Sequence, residues 1–136
     1  MNLLTLSPIT AAVAATASSP AKLNAPPRNL CVQANFTYGS GGTTVDAYLQ
    51  TSIDGGTTWV DICNFHFTTA SARFLFNLNS QTPVTTEYTP TDGSLTANTS
   101  KDGILGRQFR VKYQSSGTYA GGTTLAIDID CDQVQN

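Results

Sequence analysis

The chain has 136 residues, 40% of them hydrophobic and only 12% charged, with a net charge of −2. That length suits one domain with a modest core, and its seven scattered Lys and Arg offer no basic field to phosphates, so no direct nucleic-acid partner is expected. Thr, Ser, Gly, Asn and Gln carry the surface instead, which favours β-structure and long turns.

Residues 1–29 are expected to form an N-terminal arm or a first strand with a Pro-rich loop, ahead of one β-sandwich domain over 30–136. In LLTLSPI, Leu4, Leu6 and Ile9 are apolar, and Pro8 suits an edge strand because it cannot donate to a ladder. AAVAATASS fits a short helix and a second strand equally well. The same region has a mild apolar stretch with an Ala-x-Ala ending. It has no positive charge ahead of that stretch, and Pro8 interrupts it, so a secretory signal is not expected. Pro20, Pro26 and Pro27 stiffen the connection that follows. No stretch is apolar for long enough to span a membrane as a helix.

From Leu30 the alternation is clear. Leu30, Val32, Ala34, Phe36 and Tyr38 share one face, and GSGG then turns the chain. Val45, Ala47 and Leu49 share a face of the next strand, which ends at SIDGGTT. In WVDICNFHF, Val60 and Ile62 fall in one phase and Phe65 and Phe67 in the other, so a bulge is expected near Cys63 or Asn64. ARFLFNLN should turn Phe74, Phe76 and Leu78 inward. TPVTTEYTP should be a short edge strand blunted by prolines. TDGSLTANTSKDGILG is turn-rich, with Leu95, Ile104 and Leu105 as pins. RQFRVKYQSS points Phe109, Val111 and Tyr113 inward, and TTLAIDIDCD does the same with Leu125, Ile127, Ile129 and Cys131.

Seven or eight strands without an ordinary amphipathic helix imply an all-β fold, an antiparallel β-sandwich or jelly roll ahead of a small barrel. No internal repeat supports a solenoid or propeller.

Little in the sequence points to chemistry. Cys31, Cys63 and Cys131 match no zinc spacing; three buried thiols are expected, with one disulfide and a spare thiol as the alternative. His66 sits between two phenylalanines with no partner placeable from spacing, which favours a structural role. Asp128, Asp130 and Asp132 occupy one strand face about 6.6 Å apart. A solvated face paired with Arg110 and Lys112 is favoured over a structural cation or a charged subunit contact. There is a single Glu, Glu87, and no nucleophile elbow, P-loop or dinucleotide fingerprint. No enzyme, cofactor or metal is expected. A carbohydrate-binding module is the rival reading: Tyr38 and Tyr113 read as inward, but Tyr48 reads as outward and Tyr88 and Tyr119 lie near loops, where they could stack on sugars.

SIDGGTTW, with Ser52, Asp54, Gly56, Thr58 and Trp59, resembles the Asp-box S-x-D-x-G-x-T-W of sialidase-like propellers. There the motif sits on hairpin turns away from the catalytic centre. One copy in a chain too short for a propeller implies a structural hairpin motif and no sialidase activity. The resemblance gives Asp54 the capping of turn amides, Gly55 and Gly56 the permissive backbone, and Trp59 the packing. The wider run LCVQANFTYGSGGTTVDAYLQTSIDGGTTWVD, with FHFTTASARFLFNLN, DGILGRQFRVKY and SGTYAGGTTLAIDID after it, resembles small structural proteins of tailed-bacteriophage virions over roughly residues 30–130. Residues 1–29 match poorly. The resemblance implies a capsid decoration (cement) protein bridging capsomers, with a neck or tail component as the alternative. It further implies the virion as location, assembled in the host cytoplasm. The major capsid protein or other virion proteins would be partners, with self-association as a trimer at a threefold position. Residues 1–29 and the 90–105 loop are the expected inter-subunit contacts.

Overall fold

The alternating pattern resolves into eleven strands and no helix in the computed structural model, which describes residues 1–136. In chain order they are β1 (Asn2–Leu6), β2 (Val13–Ala17), β3 (Ala21–Lys22), β4 (Asn29–Thr37), β5 (Ser40–Gly41), β6 (Thr44–Ser52), β7 (Val60–Phe67), β8 (Ala72–Asn79), β9 (Gln108–Ser116), β10 (Tyr119–Ala120) and β11 (Thr124–Cys131). One sheet has the order β1-β11-β4-β8 and the other β2-β9-β6-β7, with β3 also on β9 and a small β5-β10 pair at one end. All pairings are antiparallel, and four of them nest: β1 with β11, β2 with β9, β4 with β8, β6 with β7. A long hairpin wrapped so that successive pairs alternate between two sheets is a jelly roll. AAVAATASS, open between helix and strand in the sequence, supplies β2. Residues 1–29 thus lie along the sandwich and give each sheet an outer strand.

The inner faces form one core. Leu30, Val32, Ala34 and Phe36 of β4 meet Val45, Ala47 and Leu49 of β6, with Phe109 and Val111 of β9 and Leu125, Ile127 and Ile129 of β11. Each large side chain buried this way contributes about 1.5–3 kcal/mol. Phe36 stacks on Phe67 at 4.8 Å and meets Tyr119 edge-on at 6.0 Å.

The phase change in β7 is a bulge one residue before the expected place. Leu49 faces Cys63 and Gln50 faces Asp61, leaving Ile62 unopposed. Ile62 and Cys63 both enter the core, and Asp61 is delivered to the outer face beside Gln50.

Two expectations fail. TPVTTEYTP forms no strand; Pro83 and Pro90 lack the N–H a ladder needs, and another segment takes the available edge. Residues 80–107 run as an irregular strap over β7. Asn64 N–H donates to Thr99 O, Lys101 N–H to Ile62 O and Asp61 N–H to Thr91 O, so the strap occupies the open edge of β7. Second, Phe74 points inward but stays 38% exposed, because β8 is the last strand of its sheet and the opposing layer covers its ring only partly. Phe74 stacks on Phe67 at 5.4 Å.

Candidate functional site

The Ser52–Trp59 turn links β6 to β7. Asp54 Oδ1 accepts from Ser52 Oγ (2.9 Å) and Thr58 N–H (2.9 Å), and its Oδ2 accepts from Thr58 Oγ1 (2.6 Å). Gly56 N–H donates to Ser52 Oγ at 2.8 Å, and Trp59 Nε1–H donates to Gly56 O at 3.1 Å. Gly55 and Gly56 have φ of 77° and 94°, a region other residues enter at a cost. Every side chain of the motif with a polar group is therefore bonded within the turn.

Those bonds hold the Asp54 carboxyl at a pKa of about 2, the largest cause being the Thr58 hydroxyl, then Thr58 N–H and Ser52. A carboxyl with a lowered folded pKa adds stability above its unfolded value of ~3.9 and loses it as pH falls through the folded value. Wild type should therefore lose melting temperature between about pH 4 and pH 2 more steeply than Asp54→Asn. Parallel melting curves for the two over that range would show that the turn does not depend on the charge.

The outer face beside the turn is polar and internally committed. The Arg110 guanidinium lies over the Trp59 ring at 4.4 Å, and its Nε–H donates to Gln50 Oε1 at 2.7 Å. Gln50 Nε2 donates to Asp61 Oδ1 (2.8 Å) and Asp92 Oδ1 (2.7 Å). Burial raises the Asp92 pKa, but bonds from Gln50 and Lys112 and the charges of Lys112 and Arg110 outweigh it, for a net lowering. Asp61 is fully buried, and its carboxylate accepts from Gly93, Ser94 and Leu95 N–H and from Thr91 Oγ1. Nothing in the sequence singled Asp61 out; the only signal was the phase change that predicted a bulge.

Beside this network Ile53, Thr58, Trp59, Tyr88, Pro90 and Ile104 line a mostly apolar groove. Tyr88 O–H is used on Asp61 O at 2.8 Å, and burial pushes its pKa up to about 12. The groove can receive an apolar side chain and directs no convergent polar groups at a ligand.

The other sequence candidates are dispersed. His66 Nδ1 lies 2.8 Å from Asp46 Oδ1, a partner that residue spacing could not place because β6 and β7 are offset by the bulge. Asn64 Nδ2 also approaches Asp46 Oδ1, at 3.4 Å, and no hydroxyl or thiol bonds to the pair. The expected pairing of Asp128, Asp130 and Asp132 with Arg110 and Lys112 is absent, because β11 and β9 belong to different sheets. Arg110 and Lys112 approach Asp92 at 3.8 and 3.1 Å. Asp128 accepts from Asn2 Nδ2, and Asp132 caps Arg28 N–H at 2.9 Å.

The three cysteines are free, but only Cys63 is buried; Cys131 is half-buried and Cys31 exposed. Cys131 stands opposite inward-facing Leu30, one position from Cys31, so the two point to opposite faces of the sheet and cannot join. None of the five tyrosines is fully exposed. Tyr48 lies on the outer face as expected but is only 6% exposed, and Tyr119 is 1% exposed. Tyr38, Tyr88 and Tyr113 are half-buried.

No protein-family model and no curated protein matches the chain. A similar solved structure is a chain of the empty virus-like particle of cowpea mosaic virus, with 13% identity and a TM-score of 0.42. The likeness covers 86% of this chain and 57% of the viral one, so the chain spans little more than half the length of that neighbour. At this degree of superposition the likeness carries no functional inference.

Proposed function

We propose that the chain is a non-enzymatic structural protein of a tailed-phage virion, a capsid decoration protein that bridges and stabilises capsomers. The observation that carries this reading is the outer polar network. Asp61, Gln50, Asp92 and Arg110 are spent on one another and on the strap, in a chain with only 12% charged residues, and the network directs no convergent set of reactive groups at a ligand. The resemblance of residues 30–130 to phage virion proteins points the same way. The work would be done by interfaces with the major capsid protein, where many modest contacts add up by avidity. The Ser52–Trp59 turn would serve as the device that fixes the β6–β7 hairpin.

Cryo-electron microscopy and mass spectrometry of purified particles test the proposal. The expected result is many copies seated outside the capsomers. A ring near the portal or a place along the tail would establish the neck or tail reading instead, and absence from particles would end both.

Trp59→Ala separates fold from contact surface. The ring is half-buried under Arg110, so the expected loss of stability is about 1–3 kcal/mol, below the ~3–5 kcal/mol of a fully buried ring. Particle binding below the melting temperature should be unchanged. Lost binding with an unchanged melting temperature would make the apolar groove a contact surface.

A further inference from the structure

The edges of the two sheets are treated differently. β1 and β2 are five residues long with irregular register, and the strap covers β7. β8 is eight residues long, regular against β4 from Ala72 to Asn79, and pairs with nothing on its other side.

Hydrogen bonds at its end fix which groups face out. Ser80 N–H donates to Arg28 O, on the β4 side, while Asn79 N–H turns away from β4 to Asp102 Oδ1 at 2.7 Å. N–H and C=O of one residue point the same way and alternate along a strand. Arg73, Leu75 and Asn77 therefore present N–H and C=O to the open edge, and none of these groups has a partner within the chain. Two large apolar side chains lie here in succession, Phe74 at 38% and Leu75 at 58% exposure. An edge this long, regular and apolar is what most sheet proteins avoid leaving open.

We propose that β8 pairs with β8 of a second copy, antiparallel about a two-fold axis at Leu75, to make one continuous sheet across two sandwiches. In that register Leu75 faces its own copy and Arg73 faces Asn77. All outward groups fall in hydrogen-bonding pairs, giving about six N–H···O bonds. Shifting the register by two residues drops a pair of them. On the inner faces Phe74 comes opposite Phe76 of the second copy, which covers its exposed ring.

Charge agrees with this occupant. Arg73 is exposed and forms no ion pair in its own chain. Facing Asn77, it lies two positions, about 7 Å, from the Asn79 that Asp102 of the second copy caps. Asp102 is exposed and also without an ion pair. The arrangement thus puts a cation near an anion on each side of the axis and opposes no like charges. A two-fold edge is isologous; it yields a dimer or the two-fold contact of a larger closed assembly, and the trimer expected from the resemblance would leave β8 open. The inference stands on the β8 geometry and does not rest on the virion reading.

Sedimentation velocity of the full chain over micromolar concentrations, with two variants, tests it. Wild type should dimerise. Leu75→Lys, at a position already in solvent in the single chain, should melt like wild type at concentrations where both are monomeric and weaken dimerisation by about tenfold or more. Leu75→Cys in a Cys31→Ser background should form a disulfide-linked dimer under mild oxidation, because the two-fold axis sets the two thiols face to face. A monomeric wild type, a trimer, a dimer unaffected by Leu75→Lys, or a Leu75→Cys chain that does not cross-link would each overturn the proposal.

Discussion

Replacing Asp61 with alanine is expected to lower unfolding stability by about 3–5 kcal/mol, a large share of the ~5–15 kcal/mol available to a domain. The carboxylate is fully buried and accepts from Gly93, Ser94 and Leu95 N–H, from Thr91 Oγ1 and from Gln50 Nε2. Truncation removes the acceptor these donors share; Gln50 Nε2 keeps its bond to Asp92, and each donor left unpaired out of reach of water costs about 1–3 kcal/mol less whatever the strap recovers by relaxing. Asp61→Asn keeps one acceptor oxygen but turns an NH₂ toward the same amides, so an intermediate loss is expected. Urea unfolding gives the stabilities. Hydrogen exchange locates the effect, with faster exchange at Gly93, Ser94, Asn64 and Lys101 than at core amides of β4. A loss below about 1 kcal/mol, or exchange that rises evenly over the chain, would mean the strap is held by its apolar pins Leu95 and Leu105 instead.

Asp61 also marks where the sequence stopped being legible. Strands β4, β9 and β11 announce themselves because each has one face in the core and one outside, so apolar residues recur at every second position. The bulge was legible for the same reason, as a break in phase between Ile62 and Phe65. The strap was not, because polar hydrogen bonds to a buried carboxylate leave no periodic trace. The pairings of His66 with Asp46 and of Arg110 with Asp92 were hidden too, since the first depends on the register that the bulge sets between β6 and β7 and the second on where the irregular strap lies, and residue spacing encodes neither. Phe74 shows the converse limit: its phase was read correctly and its burial was not, because alternation gives a side and says nothing of whether the strand is central or terminal. The contacts among Ser52, Asp54, Gly56, Thr58 and Trp59 are local, whereas the Arg110 guanidinium over Trp59 comes from a strand about fifty residues away.

Tyr119 separates the sugar-binding reading from the packing one. Its ring fills the end of the core against Phe36 at 6.0 Å and Tyr38 at 6.2 Å, and its hydroxyl donates to Thr68 O at 2.8 Å. Gly42 lies so close that an added Cβ would fall 2.3 Å from the ring. Tyr119→Ala should therefore cost about 3–5 kcal/mol through the cavity it leaves. Tyr119→Phe should cost only about 0.5–1.5 kcal/mol, because it keeps the ring and removes one hydrogen bond. The two sizes should differ in the same direction at any sugar concentration. A platform tyrosine behaves otherwise: it loses glycan binding on conversion to alanine with little change in melting temperature, since its ring is already in water. Thermal melts of both variants with and without a glycan panel decide between these. A Tyr119→Ala chain that melts like wild type and no longer binds a glycan that the wild type binds would return the chain to the carbohydrate-binding class. The burial of Tyr119, its bond to the β7–β8 connection and its seat against Gly42 make the opposite result the expected one.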